Sequence, residues 1–199
     1  MPGAKPSLNP DEILKAEFDY IAQSAFQANE DRSKAASFFL ISVGSLVAAI
    51  FGAQELSTLK EVPLTLYRVL AGLFFVLTVL GGLTIFQLAR LREAWIEAAF
   101  AMNQIKEYYA KRSSLDLMNA FRWRTETIPR QYKPDSISYY TALEVALLSG
   151  LTFGACVYFL QLGVPYTNCL WAFTLSSGAL AFFLQLFIYK RLLSKGRRP

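Results

Sequence analysis

No charged residue occurs between Ala35 and Gln54 or between Val69 and Ala89, and none occurs from Val145 to Tyr189. The last stretch is divided only by Gly163-Val164-Pro165-Tyr166-Thr167-Asn168. A hydrocarbon core about 30 Å thick needs roughly 20 apolar helical residues to cross it. The arithmetic predicts four spans arranged as two tight hairpins. What is left of the 199 residues is too short and too scattered for a second large core.

The expected fold is an all-α membrane protein, with four transmembrane helices as two hairpins and an antiparallel cytoplasmic helix pair extending from the first. The chain then divides into a cytoplasmic N-terminal helix (1–34), a first transmembrane hairpin (35–89) and a cytoplasmic extension of the second span (90–112). An inner-leaflet connector (113–138), a second transmembrane hairpin (139–189) and a basic tail (190–199) follow.

Charge sets the orientation. Lys5, Lys15, Arg32 and Lys34 precede the first span, nine Lys/Arg lie between the second and third spans, and five follow the fourth. Only Lys60 and Arg68 fall in the first short loop. Cytoplasmic segments accumulate Lys and Arg, which places both termini and the middle segment in the cytoplasm. The polar N-terminal segment, with Asp11, Glu12, Glu17, Asp19, Glu30 and Asp31, offers no leading apolar region of a cleavable signal. The first span then acts as the insertion signal. A net charge of +5 raises the question of nucleic acid, but the basic residues sit beside the span ends. Attraction to anionic headgroups accounts for them there, and no nucleic-acid partner is expected.

The absence of histidine removes the commonest general base and metal ligand. There is no Gly-rich phosphate loop, nucleophile elbow or paired carboxylate set, so neither an enzyme nor a cofactor is expected. Cys156 and Cys169 flank the outer end of the second hairpin. They read as packing residues, with a disulfide left open.

Asn9-Pro10-Asp11-Glu12 is a helix start, with Asn9 as cap, Pro10 at the first position and Glu12 placed for a capping box. From there Leu14, Phe18, Ile21, Ala25 and Ala28 recur at four- and three-residue steps. At the exit of the second span, Leu88, Leu91, Trp95, Ala98, Met102, Ile105 and Tyr109 follow the same spacing, with neither Gly nor Pro between Leu83 and Arg112. Two helices leaving one face of a hairpin, each with a narrow apolar stripe, are expected to pair antiparallel. The alternative is that each lies flat on the membrane surface. The pair shares a pattern, Ala25-Phe26-Gln27-Ala28-Asn29 against Ala99-Phe100-Ala101-Met102-Asn103. Asn29 and Asn103 are either register-setting polar residues or solvated ones.

The segment from Ser113 to Tyr140 breaks the pattern with Pro129 and Pro134. Its aromatic residues Trp123, Tyr132, Tyr139 and Tyr140 suit the headgroup level. It reads as a connector on the inner leaflet, with a partner-binding loop as the rival.

Within the spans, Gly44-x-x-x-Ala48-x-x-x-Gly52 and Gly150-x-x-x-Gly154 mark faces suited to close helix approach. Glu144 adjoins an uncharged run, four residues after Tyr140. Carboxylates near membrane depth often serve ion or proton sites, or rings at pore mouths. The plainer reading pairs Glu144 with Arg90 or Arg92 at headgroup depth. Gln87 and Gln185 lie where they could hydrogen-bond across helices.

The first half has a recognisable layout. A polar helix enters a two-span hairpin, and a long helix leaves it carrying Arg90-Leu91-Arg92-Glu93-Ala94-Trp95 and Asn103-Gln104-Ile105-Lys106-Glu107-Tyr108-Tyr109. Over roughly residues 11–112 this resembles the SLATT families of bacterial two-span membrane proteins. The resemblance implies a pore-forming or membrane-disrupting effector of nucleotide-signalled conflict systems. It carries no functional residue across, and the second hairpin lies outside it.

The sequence therefore leads to the lipid bilayer of a bacterial inner membrane and to a homo-oligomer. Leu14, Phe18, Ile21, Ala25, Leu91, Trp95, Met102 and Ile105 are the candidate contacts within the helix pair, and Glu144 is the candidate ion or pore site. A non-conducting scaffold that binds a protein partner through the cytoplasmic helices is the second expectation. A small exporter-like transporter is a third, and it would need a deeper acidic residue than Glu144.

Overall fold

The computed structural model describes residues 9–54, 63–113, 121, 123–162 and 170–195. The turn at 163–168, the outer loop with Lys60, most of the segment from Leu115 to Trp123, Cys169 and the end of the tail lie outside them. Four long helices make up the fold, α1 (Pro10–Gln54), α2 (Leu64–Arg112), α3 (Ile137–Leu162) and α4 (Leu170–Lys195). A short 3-10 turn, Thr125–Thr127, precedes α3. The described residues contain no strand.

The helix ends follow from local chemistry. Asn9 Oδ1 accepts the Asp11 N–H at 3.2 Å, which satisfies one of the orphan donors of the first turn. Asp11 and Glu12 sit at the positive end of the helix. Glu12 does not close the reciprocal bond of a capping box. At the same tip of the pair, Lys111 and Arg112 occupy the last turn of α2, and the Ser113 N–H reaches back to the Tyr109 carbonyl at 3.0 Å. With no Pro or Gly after Leu83, nothing interrupts α2 over 49 residues, roughly 74 Å at the helical rise.

Neighbouring helices run in opposite directions. Tyr109 Oη reaches Asp11, the Lys106 ammonium lies 5.8 Å from the Phe18 ring, and Phe39 abuts Gly81. These contacts fix an antiparallel register of α1 on α2. Phe74 stacks on Phe159 at 5.6 Å and Thr78 meets Thr152, so α3 runs antiparallel to α2. Gly150 faces Gly178 and Ser138 bonds Tyr189, which does the same for α4 on α3. The α2–α3 contact is central, α1 and α4 flank it, and α1 and α4 do not meet among the described residues.

The centre is filled by Phe39, Ile85, Leu88, Val145 and Tyr189, all essentially inaccessible. The small-residue faces divide. Gly150 and Gly154 press against the backbone of α4, whereas Gly44 and Gly52 look into open space. The reason is that α1 turns Phe39 and Val43 toward α2, which leaves the Gly44 face outward.

All four helices are long and apolar enough to cross a membrane. Their outward faces carry Phe38 and Ile41, Phe75 and Val76, Leu147 and Leu151, and Phe183 and Phe187. A chain surrounded by water does not expose apolar surface on every side.

Candidate functional site

The seam between the extended parts of α1 and α2 is built on small residues. Ala25 and Ala28 are buried on α1, with Leu14, Phe18 and Ile21 half-buried along the same line. On α2 the expected stripe of Leu91, Trp95, Met102 and Ile105 is also half-buried. The most deeply buried line lies one residue further along, at Arg92, Ile96, Ala99, Asn103 and Ala110. It keeps the three-four spacing one residue on, so it forms its own line about 100° round the helix from the apolar stripe. Alanine lets two helix axes approach more closely than leucine, and the register sets Ala25 level with Ala99. The bulkier stripe, read from hydrophobicity, therefore flanks the seam rather than centring it. Trp95, assigned to the helix pair, instead gives its ring to Trp123 of the connector, edge to face at 5.9 Å.

The shared five-residue pattern thus contributes its alanines to the contact, while its two asparagines differ. Asn29 is exposed and accepts a bond from Arg32. Asn103 is only 2% exposed, and its amide nitrogen has no partner among the described residues.

Where α2 leaves its uncharged run, a second cluster forms. Arg92 is 8% exposed. Its Nε donates to the Gln131 carbonyl at 3.4 Å, and its guanidinium carbon lies 4.9 Å from the Trp95 ring centroid. Burial pushes this guanidinium below its ordinary value, and the like charge of Arg32 pushes it further. Beneath it, Tyr189 Oη donates to the Ser138 carbonyl and shares a bond with Ser138 Oγ at 3.1 Å. The connector is tied to α2 once more, by the Thr125 N–H to Glu107 Oε1 at 2.9 Å. Beside this junction lies a cavity of about 620 Å³, lined by Ile96, Phe100, Gln131, Tyr132 and Leu193 among others.

A third polar feature crosses the middle of the bundle. Gln185 Nε2 donates to Ser149 Oγ at 2.6 Å, Ser149 Oγ donates to the Thr78 carbonyl, and Thr78 and Thr152 share a bond at 3.0 Å. The cross-helix role expected of Gln185 is therefore present. Gln87 lies exposed, in a shallow groove between α1 and α2. Only the packing brings residues 78, 149 and 185 together, since they lie far apart along the chain.

Gln185 Oε1 is buried without a partner. Gln185→Leu removes that orphan and leaves the Ser149 bond to Thr78 intact. It is expected to change stability by less than about 1 kcal/mol. Ser149→Ala strands both ends of the amide and is expected to cost about 1–2 kcal/mol. Unfolding in mixed micelles checks the order, and the reverse order would remove this seam from the stabilising contacts.

Glu144 lies on the outward face of α3, in line with exposed Tyr140, Leu147 and Leu151. The pairing envisaged with Arg90 or Arg92 is not made. Arg90 bonds Glu93 at 2.8 Å, and Arg92 turns to the connector. Among the described residues no group of His, Cys, Asp and Glu could hold a metal ion. The chain matches no protein-family model, no curated protein and no solved structure.

Proposed function

We propose that this chain crosses a bacterial inner membrane four times as two hairpins, with both termini cytoplasmic. In this reading it assembles as a homo-oligomer and acts as a signal-coupled membrane effector. The observation that carries the proposal is the continuity of α1 and α2 from their polar tips into their uncharged runs. A helix without a break moves as a rod, so a ligand or partner that shifts the paired tips shifts the spans as well. The distribution of Lys and Arg supports the orientation. The resemblance of residues 11–112 to the SLATT layout supports the effector class.

The centre of a single copy is filled by side chains, so the conducting path lies between copies. Glu144, outward on α3, then faces either a neighbouring copy or the headgroups. Purified protein in liposomes is expected to release ions or a small dye. Glu144→Gln is expected to alter the conductance while the oligomer persists. Absence of leakage from an oligomer of confirmed stoichiometry would overturn this proposal.

A non-conducting scaffold is the second reading. It is favoured by Tyr20 and Phe26, which are largely exposed on α1 outside the uncharged run, where lipid tails do not cover them. It predicts a co-purifying protein that Phe26→Ser releases without loss of membrane insertion.

A further inference from the structure

Arg92 is a buried cation with too few partners. A guanidinium has five N–H donors. One of them meets the Gln131 carbonyl, at the long distance of 3.4 Å, and the ring of Trp95 covers one side. The two terminal nitrogens make no hydrogen bond to any described residue. No carboxylate oxygen among the described residues lies within 4 Å of this side chain, because the ion pairs formed are Lys34–Glu30 and Arg90–Glu93. Removing an unpaired charge from water costs several kcal/mol even after relaxation.

A second guanidinium makes the balance worse. The contacts of Phe39 with Gly81 and of Phe18 with Lys106 set the register of α1 on α2. Between them, Arg32 comes level with the turn of Arg92. It is half-buried, its one hydrogen bond goes to Asn29, and its charge is felt at Arg92. The Tyr189 hydroxyl is already engaged by Ser138 and carries no charge that could pair with either. Two like charges thus lie close together beside the connector, with no carboxylate among the described residues paired to either.

We propose that Arg92 and Arg32 together bind a phosphate group, clamped between α1 and α2 at the point where both helices enter their uncharged runs. Guanidinium forks match phosphate oxygens in geometry, and charge-assisted bonds of this kind are about twice as strong as neutral ones. The phosphate belongs either to a lipid headgroup or to a soluble phosphate compound. Occupancy ties α1 to α2 at this level, and loss of the ligand restores repulsion between the two arginines. The site stands whether the protein conducts or only scaffolds.

The test uses the full chain in detergent, titrated with phosphatidylglycerol, with phosphatidylcholine and with inorganic phosphate at constant ionic strength. Binding is read by native mass spectrometry and by the thermal midpoint. Wild type is expected to retain phosphatidylglycerol selectively. Arg32→Gln and Arg92→Gln are expected to weaken it about tenfold, as the loss of one charged hydrogen bond implies. Arg90→Gln, an exposed arginine beside them, is the control and should change it less than about twofold. Should Arg92→Gln fail to fold, the half-buried Arg32→Gln carries the comparison. Displacement of the lipid by millimolar inorganic phosphate assigns the site to a soluble phosphate compound, and resistance to displacement assigns it to the headgroup. The proposal fails if no phosphate-bearing probe binds, or if Arg90→Gln weakens binding as much as Arg32→Gln.

Discussion

Gly150→Leu is expected to be the most damaging single substitution in the chain. A Cβ built at Gly150 falls 2.8 Å from the Gly178 carbonyl oxygen and 3.0 Å from Phe182 Cβ. The obstacle is largely backbone, so no rotamer change can make room. Overpacking of a close-packed interior costs about 1–3 kcal/mol for added methylenes, and a leucine wedge against backbone belongs at or above that range. The expected result is separation of α4 from α3, seen as loss of the cooperative unfolding transition in micelles and as faster proteolysis. Gly44→Leu is the matched control, because nothing lies within 4 Å of a Cβ there. It should leave the transition of the single chain unchanged. Equal damage from both variants would mean that Gly44 is also packed, against another copy.

Ala99→Glu should open the extended helix pair. Ala99 is 2% exposed, so a carboxylate placed there is taken out of water within the seam. Breaking a buried seam with an uncompensated charge costs about 3–5 kcal/mol. Trypsin cleavage at Lys15, Arg32 and Lys34 reports the opening, since proteolysis follows the population of the open form. The rate is expected to rise at least about tenfold, each tenfold corresponding to about 1.4 kcal/mol. Met102→Glu, at a half-buried flank, is expected to do much less. If Met102→Glu opened the pair and Ala99→Glu did not, the seam would run along the bulky stripe instead of the alanines.

These contrasts mark how far the sequence reaches. The continuity of α2 through Arg112 was legible, because it needs only the absence of Gly and Pro and a sustained three-four spacing. So was the start of α1, whose Asn-Pro-Asp signal is local. The centre of the α1–α2 seam was not. Residues 91, 95, 102 and 105 carry large apolar side chains, and hydrophobicity alone selects them. The buried line at 92, 96, 99 and 103 includes an arginine and an asparagine, which no hydrophobic pattern would choose. The same holds for the two glycine faces. Gly44 to Gly52 and Gly150 to Gly154 look alike as spacing, and only the neighbour across the interface distinguishes a packed glycine from an open one.

The candidate phosphate site belongs wholly to that second class. Arg92 read as one of nine basic residues between two spans, and Arg32 as one of four before the first. Their exposures and their approach to each other follow from register, burial and the return of the connector beneath Trp95.

What the sequence determined by itself is the number of long apolar helices, their continuity and their charged flanks, because those depend on composition along the chain. What the tertiary structure decided is which faces meet. That is settled by the fit of small residues between antiparallel rods, so Ala25 and Ala99 are buried, Gly150 meets Gly178, and Arg92 is left without an anion among the described residues.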